Sequence, residues 1–421
     1  MIKLNDKLGY NMRLHPNYNG DIANRYIYQK LKAVGAKYIR LYSNVEQASF
    51  DSNTCKMNYL YDNVQEVANQ GFTPVLPLII DYPAKKQDIN ASDNSTHCYW
   101  SDTLQSQFKR FFKEVVQHIE SMGIKVIYEA FNEAPGGFWS SYGYSYNNQD
   151  TINSYMDMND YMRQTVYSYS SSKFIDLCSC QWAGHRQGTS IYNPKALDTV
   201  LITLSNRYAK LSDAGSNRKA DYISFHPYME TAYDNGNPEI LLFQGSYSDY
   251  ANINTIPQAW TEFGFANKQD WNGNFPPSTQ RALVQRQILI GDYMGVDIMI
   301  PYSARVYNYD WGGEECTYNF GNTIRNSETN TYSMNETGQG VFELLTELKG
   351  YHFNQSIDTG IDIFDQSKYL SALYAFEYVN DSGNKKLVYW TPSVTPITKS
   401  ISWNGTDRDL TFKYNVQFLE S

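Results

Sequence analysis

FTPVLPLII, residues 72–80, is a run of nine residues without a charge, set between Gly71 and Asp81. A strand that is apolar on both faces belongs to a sheet covered on both sides, which is the habit of parallel sheets flanked by helices. Similar runs recur outward from it. Strands are predicted at Gly9–Arg13, 38–42, Thr73–Ile80, 124–130, 174–178, 221–226, 258–264 and 297–302. Helical periodicity fills the gaps between them. Asp21–Val34 reads as a helix with Asp21 at its start and Gly35 where a C-terminal glycine belongs. A helix follows near 60–70. In 103–122, Leu104, Phe108, Phe111, Val115 and Ile119 recur at spacings of three and four, making one apolar stripe. Further helices are predicted at 151–168, from a Ser278 cap to Met294, and at 338–348.

Eight strands alternating with helices over about 350 residues predict a parallel α/β architecture. An open doubly wound sheet would show a glycine-rich phosphate loop after its first strand, and none is present. A (β/α)8 TIM barrel fits better, because chemically informative residues gather at strand C-terminal ends. Past residue 350 the period changes. YLSALYAFEYV, KKLVYW, ITKSISW and LTFKYNVQF alternate without helical spacing, separated by turns such as Asn380-Asp381-Ser382-Gly383 and Asn404-Gly405. Residues 1–350 are therefore read as the barrel and 351–421 as a small antiparallel, β-sandwich-like domain. So short a domain is marginal alone, so it is expected to pack on the barrel.

Composition narrows the function. A net charge of −9 argues against nucleic acid as a partner, since that needs a basic footprint. No run of about 18 apolar residues is present to span a membrane. The N-terminus MIKLNDKLGY has no apolar signal core. The chain is then cytoplasmic, unless a leader is absent from it and the protein is secreted or held at the cell surface. The five cysteines (55, 98, 178, 180 and 316) match no zinc spacing and read as mostly free thiols, with room for one long-range disulfide. The 37 tyrosines read either as compositional bias or as flat rings with a polar handle that stack on sugars.

Two segments carry chemistry: VIYEAFNEAPGG at 126–137 and IPQAWTEFGFA at 256–266. Each sets a glutamate, Glu133 and Glu262, at the end of a buried strand, where an unpaired carboxylate is costly. Either one alone reads as a rim salt bridge. Two carboxylates facing one cleft are what glycoside hydrolysis needs: one to protonate the leaving oxygen, one to attack the anomeric carbon. No H-E-x-x-H, P-loop or G-x-S-x-G pattern offers another chemistry, and no cofactor or metal is predicted.

At these motifs the chain resembles clan A of the glycoside hydrolases, most closely the cellulase-like family 5 group, over roughly residues 5–345. Asn132-Glu133-Ala134-Pro135 is similar to that group's Asn-Glu-Pro signature, with an alanine inserted. The resemblance implies Glu133 as acid/base and Asn132 as a hydrogen-bonding partner of the sugar 2-hydroxyl and the nucleophile. Thr261-Glu262-Phe263-Gly264 looks like the nucleophile strand, implying Glu262 as nucleophile. His226-Pro227-Tyr228 looks like the His-x-Tyr element, with His226 tuning the acid/base and Tyr228 orienting the nucleophile. Arg40 is similar to the arginine that pairs with the nucleophile. The sequence departs from the group at the third strand, where the histidine is missing and its role would fall to Asp81 or Tyr82, or to His97 or His15 from a loop, and after the eighth, where Tyr302 or Trp311 would form the floor under the sugar. Trp139 and Trp182, in long loops, are the candidate subsite walls.

These residues imply a retaining hydrolase of β-glycosidic bonds in an oligo- or polysaccharide, with a carbohydrate as its partner and no oligomeric state predicted. Two alternatives use the same barrel: a non-catalytic glycan-binding, receptor-recognition module, and a transglycosidase.

Overall fold

In the computed structural model, described for residues 1–13, 21–45, 58–80, 102–132, 149–179, 194–229, 236–243, 250–265, 275–303, 323–326 and 331–421, the predicted barrel is present. Eight strands lie in sequence order: β1 Gly9–Arg13, β2 Tyr38–Val45, β3 Thr73–Ile80, β4 Ile127–Glu129, β5 Lys173–Ser179, β6 Tyr222–Phe225, β7 Gln258–Trp260 and β8 Ile298–Met299. Every neighbouring pair is parallel. The ring is closed by a bridge from Leu8 to Met299 and by the Asn11 N–H donating to Pro301 O at 3.2 Å.

Among the described residues the helices are α1 Leu4–Lys7, α2 Asp21–Val34, α3 Asn58–Asn69, α4 Asp102–Ser121, α5 Gln149–Tyr169, α6 Pro194–Tyr208, α7 Pro277–Tyr293 and α8 Glu336–Glu347. Gly35 adopts the left-handed φ of 79° that ends α2. The α4 stripe is buried through Phe108, Phe111, Val115 and Ile119. A Cβ on Gly340 of α8 would stand 2.8 Å from the Arg281 carbonyl of α7, so these two helices meet only because glycine is there. No helix among the described residues is long and apolar enough to cross a membrane.

Several local expectations are corrected. Ser278 does not cap α7: the helix begins at Pro277 with Pro276 before it, and no side chain caps it. Proline's fixed φ suits the first helical position, so the Pro-Pro pair starts the helix two residues earlier. The sequence reading passed over α6, although Pro194 and the spacing of Val200, Leu201, Leu204 and Tyr208 announce it. It also passed over the hairpin of β9 Thr323–Asn326 and β10 Thr331–Met334. Strands β4, β7 and β8 are shorter than expected. The ladder nevertheless continues beyond them, from Ala130 N to Ile175 O (3.0 Å), Thr261 N to Phe225 O (3.2 Å) and Tyr302 N to Phe263 O (2.8 Å).

The C-terminal residues form a four-stranded antiparallel sheet, β11 Tyr351–Ser356, β12 Tyr374–Asn380, β13 Lys385–Trp390 and β16 Gln417–Glu420, and a hairpin of β14 Ile397–Trp403 with β15 Thr406–Phe412. Alternation along β12 and β13 sends Tyr374, Phe376, Tyr378, Val388 and Trp390 into the barrel's core. Ala375 and Leu387 face the other way, onto Ile401, Trp403, Leu410 and Phe412 of the hairpin. The sheet is thus covered on both faces. Tyr293, at the end of α7, stacks on Phe376 at 4.9 Å and ties the two parts together.

Candidate active site

The barrel interior is built in layers by the two-residue period of its strands. At the bottom, Val75, Ile127, Ile175, Tyr222, Ala259 and Ile298 form an apolar plug, with Tyr38 against it. Two residues further along four of these strands stand Arg40, Glu129, Ser224 and Thr261, all fully buried. The same face of each strand therefore turns from apolar to polar in one step. Above them lie Asn132, His226, Tyr228 and Glu262, none more than 8% exposed.

Arg40 organises the polar layers. Its Nε donates to Glu129 Oε2 at 2.6 Å, its Nη1 to Glu262 Oε1, and its Nη2 to Asn132 Oδ1 at 2.6 Å. One rigid guanidinium thus sets three side chains from β4, the segment just after it, and the end of β7. Glu262 Oε2 also accepts from the Tyr228 hydroxyl at 3.0 Å, and His226 Nδ1 stands 3.7 Å from it. Glu129 Oε1 accepts from Thr261 Oγ1 at 2.5 Å and Ser224 Oγ at 2.9 Å. The Thr261 hydroxyl gives its single proton to Glu129, so it is the acceptor of its 3.1 Å contact with His226 Nε2. That assigns a proton to His226 Nε2 and turns Nδ1 toward Glu262.

Burial alone would push the Glu129 carboxyl up. Arg40, His226 and the Thr261 hydroxyl outweigh it and hold the group below its usual value.

The backbone is shaped to suit. Phe131 has a left-handed φ of 59°, costly for a residue with a Cβ. Its ring packs outward on Phe108 and Tyr155 at 5.5 and 6.1 Å, while Asn132 beside it reaches Arg40. Behind the His226–Tyr228 turn, the buried Gln287 of α7 donates to Pro227 O at 2.6 Å. On β5, Leu177 is an extra residue between Asp176 and Cys178 with φ 53°, and its carbonyl oxygen stands 3.4 Å from the Ser224 hydroxyl.

The structure therefore brings Arg40, Asn132, His226, Tyr228 and Glu262 together at one end of the barrel. Tyr302 is half-buried beside them, its N–H bonded to Phe263 O. Glu133, Asp81, Tyr82, His97, His15, Trp139, Trp182 and Trp311 lie outside the described residues, as do the cysteine side chains. Glu129, Ser224 and Thr261 had no role in the sequence reading. The signal for them was present: each lies two residues beyond an apolar inward position on its strand.

No protein-family model matches the chain, and no curated protein matches it. Solved structures do. A family 39 glycoside hydrolase from the gut symbiont Bacteroides cellulosilyticus is 14% identical over 100% of this chain and 82% of its own, with a TM-score of 0.62. A family 30 subfamily 8 xylanase from Clostridium acetobutylicum is 12% identical over 95% of this chain and 84% of its own, at 0.54. A β-glucosidase from Thermotoga maritima is 10% identical over 78% and 87%, at 0.52. At such identities the likeness shows the fold.

Proposed function

We propose that this protein is a clan A glycoside hydrolase that cleaves β-glycosidic bonds with retention, using Glu262 as nucleophile and Glu133 as acid/base. The observation that carries this reading is the grip on Glu262: a carboxylate at the end of β7 with Arg40 on one oxygen and the Tyr228 hydroxyl on the other. Such a grip fixes the angle of attack and leaves a lone pair for the anomeric carbon. The solved structures of the same fold support the reaction class, since those named above are a glycoside hydrolase, a xylanase and a β-glucosidase. The name of the last favours a β-linked substrate. The families among them are 39 and 30, so the narrower link to family 5 rests on the sequence motifs alone.

In the first step Glu262 forms a C–O bond to the anomeric carbon as the glycosidic C–O bond breaks, and Glu133 gives its proton to the departing oxygen. In the second, water attacks the ester, Glu133 takes its proton, and Glu262 is released as a carboxylate. Asn132 is the residue directly before Glu133, and its carboxamide oxygen is held by Arg40. We place Tyr302, Trp311, Trp139, Trp182 and Asp81 in the sugar subsites on the sequence reading.

Glu262→Ala should lose turnover of aryl β-glycosides by on the order of 10⁴-fold or more. Azide should restore it and give the α-glycosyl azide. A variant that keeps wild-type activity overturns the reading. A wild type that binds oligosaccharides but releases no reducing sugar from a panel of β-glycans points to the glycan-binding alternative instead.

A further inference from the structure

We propose that Glu129 is a positioning residue for this reaction: it is the standing counter-ion of Arg40, so that Glu262 can lose and regain its charge without stranding a buried cation. The inference rests on the glycosidase reading above and deepens it.

Three observations carry it. Arg40 is fully buried and touches two carboxylates, Glu129 through Nε and Glu262 through Nη1. Glu129 is locked by two hydroxyls, Thr261 and Ser224, in addition to Arg40, so it has no freedom to attack a substrate. It sits on β4 two residues beyond Ile127 of the apolar plug and is fully buried. By themselves Arg40, Glu129 and Glu262 sum to one negative charge; His226 contributes alike to the free and the esterified state and leaves the difference between them unchanged. When Glu262 becomes an ester with the anomeric carbon, its charge is gone. Arg40 and Glu129 then sum to zero. With a neutral residue at 129, the free enzyme would be balanced and the ester state would hold a buried guanidinium facing no carboxylate among the described residues, an arrangement that costs far more than a balanced one. Glu129 therefore makes the charge of the nucleophile the surplus one. Removing it should handicap ester formation and not ester breakdown.

The experiment follows the two half-reactions separately with a 2,4-dinitrophenyl 2-deoxy-2-fluoro-β-glycoside. Intact mass spectrometry reads labelling, and reactivation in buffer reads release. Wild type should label; Glu262→Ala should not. Glu129→Gln should label on the order of 10²-fold more slowly, while its ester is released no more slowly than that of wild type. Glu129→Asp, which keeps the charge, should recover at least about tenfold of the labelling rate. Equal slowing of both half-reactions would mean a merely structural role and overturn the proposal, as would unchanged labelling. If Glu129→Gln does not fold, Ser224→Ala carries the test, since it removes one donor to Glu129 and no charge. Labelling should then slow about tenfold with release unslowed, and no change overturns the proposal. Labelling of Glu262→Ala at the wild-type rate would instead remove the glycosidase reading itself.

Discussion

Two arginines in this molecule are gripped in nearly the same way and do different work. Arg40, inside the barrel, donates to Glu129 and Asn132. Arg286, on α7, donates through Nε to Glu239 at 2.7 Å and through Nη2 to Asn237 at 2.6 Å. Both guanidinium groups are fully buried. The difference lies in what completes each cluster. Around Arg286 stand neutral groups of the C-terminal residues: the Trp390 indole N–H donates to Glu239 at 2.6 Å, and the Tyr414 ring lies 4.6 Å from the guanidinium. That cluster sums to zero charge and joins barrel to sheet. Around Arg40 a second carboxylate, Glu262, takes the open position. The same donor set thus serves as a rivet when its charge is closed and as a site when an anion is left over.

Stability should separate the two most strongly. Glu239→Gln leaves Arg286 buried without a carboxylate, and breaking a buried pair in this way costs about 3–5 kcal/mol. Glu262→Gln leaves Arg40 paired with Glu129 and removes one of two carboxylates crowded on it. Its unfolding free energy should stay within about 1 kcal/mol of wild type. Urea unfolding of the two variants measures this. Equal losses would break the comparison, because they would make Glu262 as structural as Glu239.

Acid should sharpen the comparison further. The folded-state value of Glu129 lies below its unfolded one, so the folded protein binds fewer protons there. The stability it contributes is complete above about pH 4.3 and is lost as pH falls through the folded value. Asp176 is the opposite case. It is buried on the outer side of β5, and burial raises it despite Arg163 and the Tyr208 hydroxyl. Its folded form holds the proton longer, so its contribution improves as pH falls through the window above the unfolded value. Urea midpoints from pH 7 to pH 3 should show the gap between wild type and Glu129→Gln narrowing on acidification. For Asp176→Asn the gap should move in wild type's favour. Parallel curves for all three proteins would contradict both assignments.

The sequence displayed the barrel because apolar runs such as FTPVLPLII alternate with helical periods, and because a two-residue period takes over where the C-terminal sheet begins. The residues of the candidate site that it displayed, Arg40, Asn132, His226, Tyr228 and Glu262, stand at strand ends or in short motifs where a polar residue interrupts an apolar run. Glu129 was less legible because it falls inside the predicted strand 124–130, on its inward face, and not at that strand's end. Counting two residues on from Ile127 reaches it. The Arg286 cluster was hidden for another reason. Its glutamate and arginine lie 47 residues apart, on a short 3₁₀ turn and a buried helix, and no local pattern links them. Pairing of that kind is decided by packing alone.

The smallest effects should come from two tyrosines in matching roles. Tyr378 of β12 donates to Asp292 of α7 at 2.8 Å, across the same junction as Arg286. Tyr228 donates to Glu262 at 3.0 Å. Each loses only a hydroxyl in the phenylalanine variant, and each leaves behind a carboxylate with a remaining cation: Lys7 at 2.7 Å for Asp292, Arg40 for Glu262. A hydrogen bond to a buried charge contributes about 1.5–3 kcal/mol, and less where another partner remains. Tyr378→Phe should therefore lower stability by about 1 kcal/mol and leave kcat on an aryl β-glycoside unchanged, because the bond is present before and after turnover. Tyr228→Phe should leave stability almost unchanged and lower kcat about tenfold, because its hydroxyl steadies an oxygen whose charge comes and goes. The two variants differ from wild type by one oxygen atom each, so a swap of their effects could not be blamed on repacking. It would mean that the surplus carboxylate is at the junction and that Glu262 is merely held.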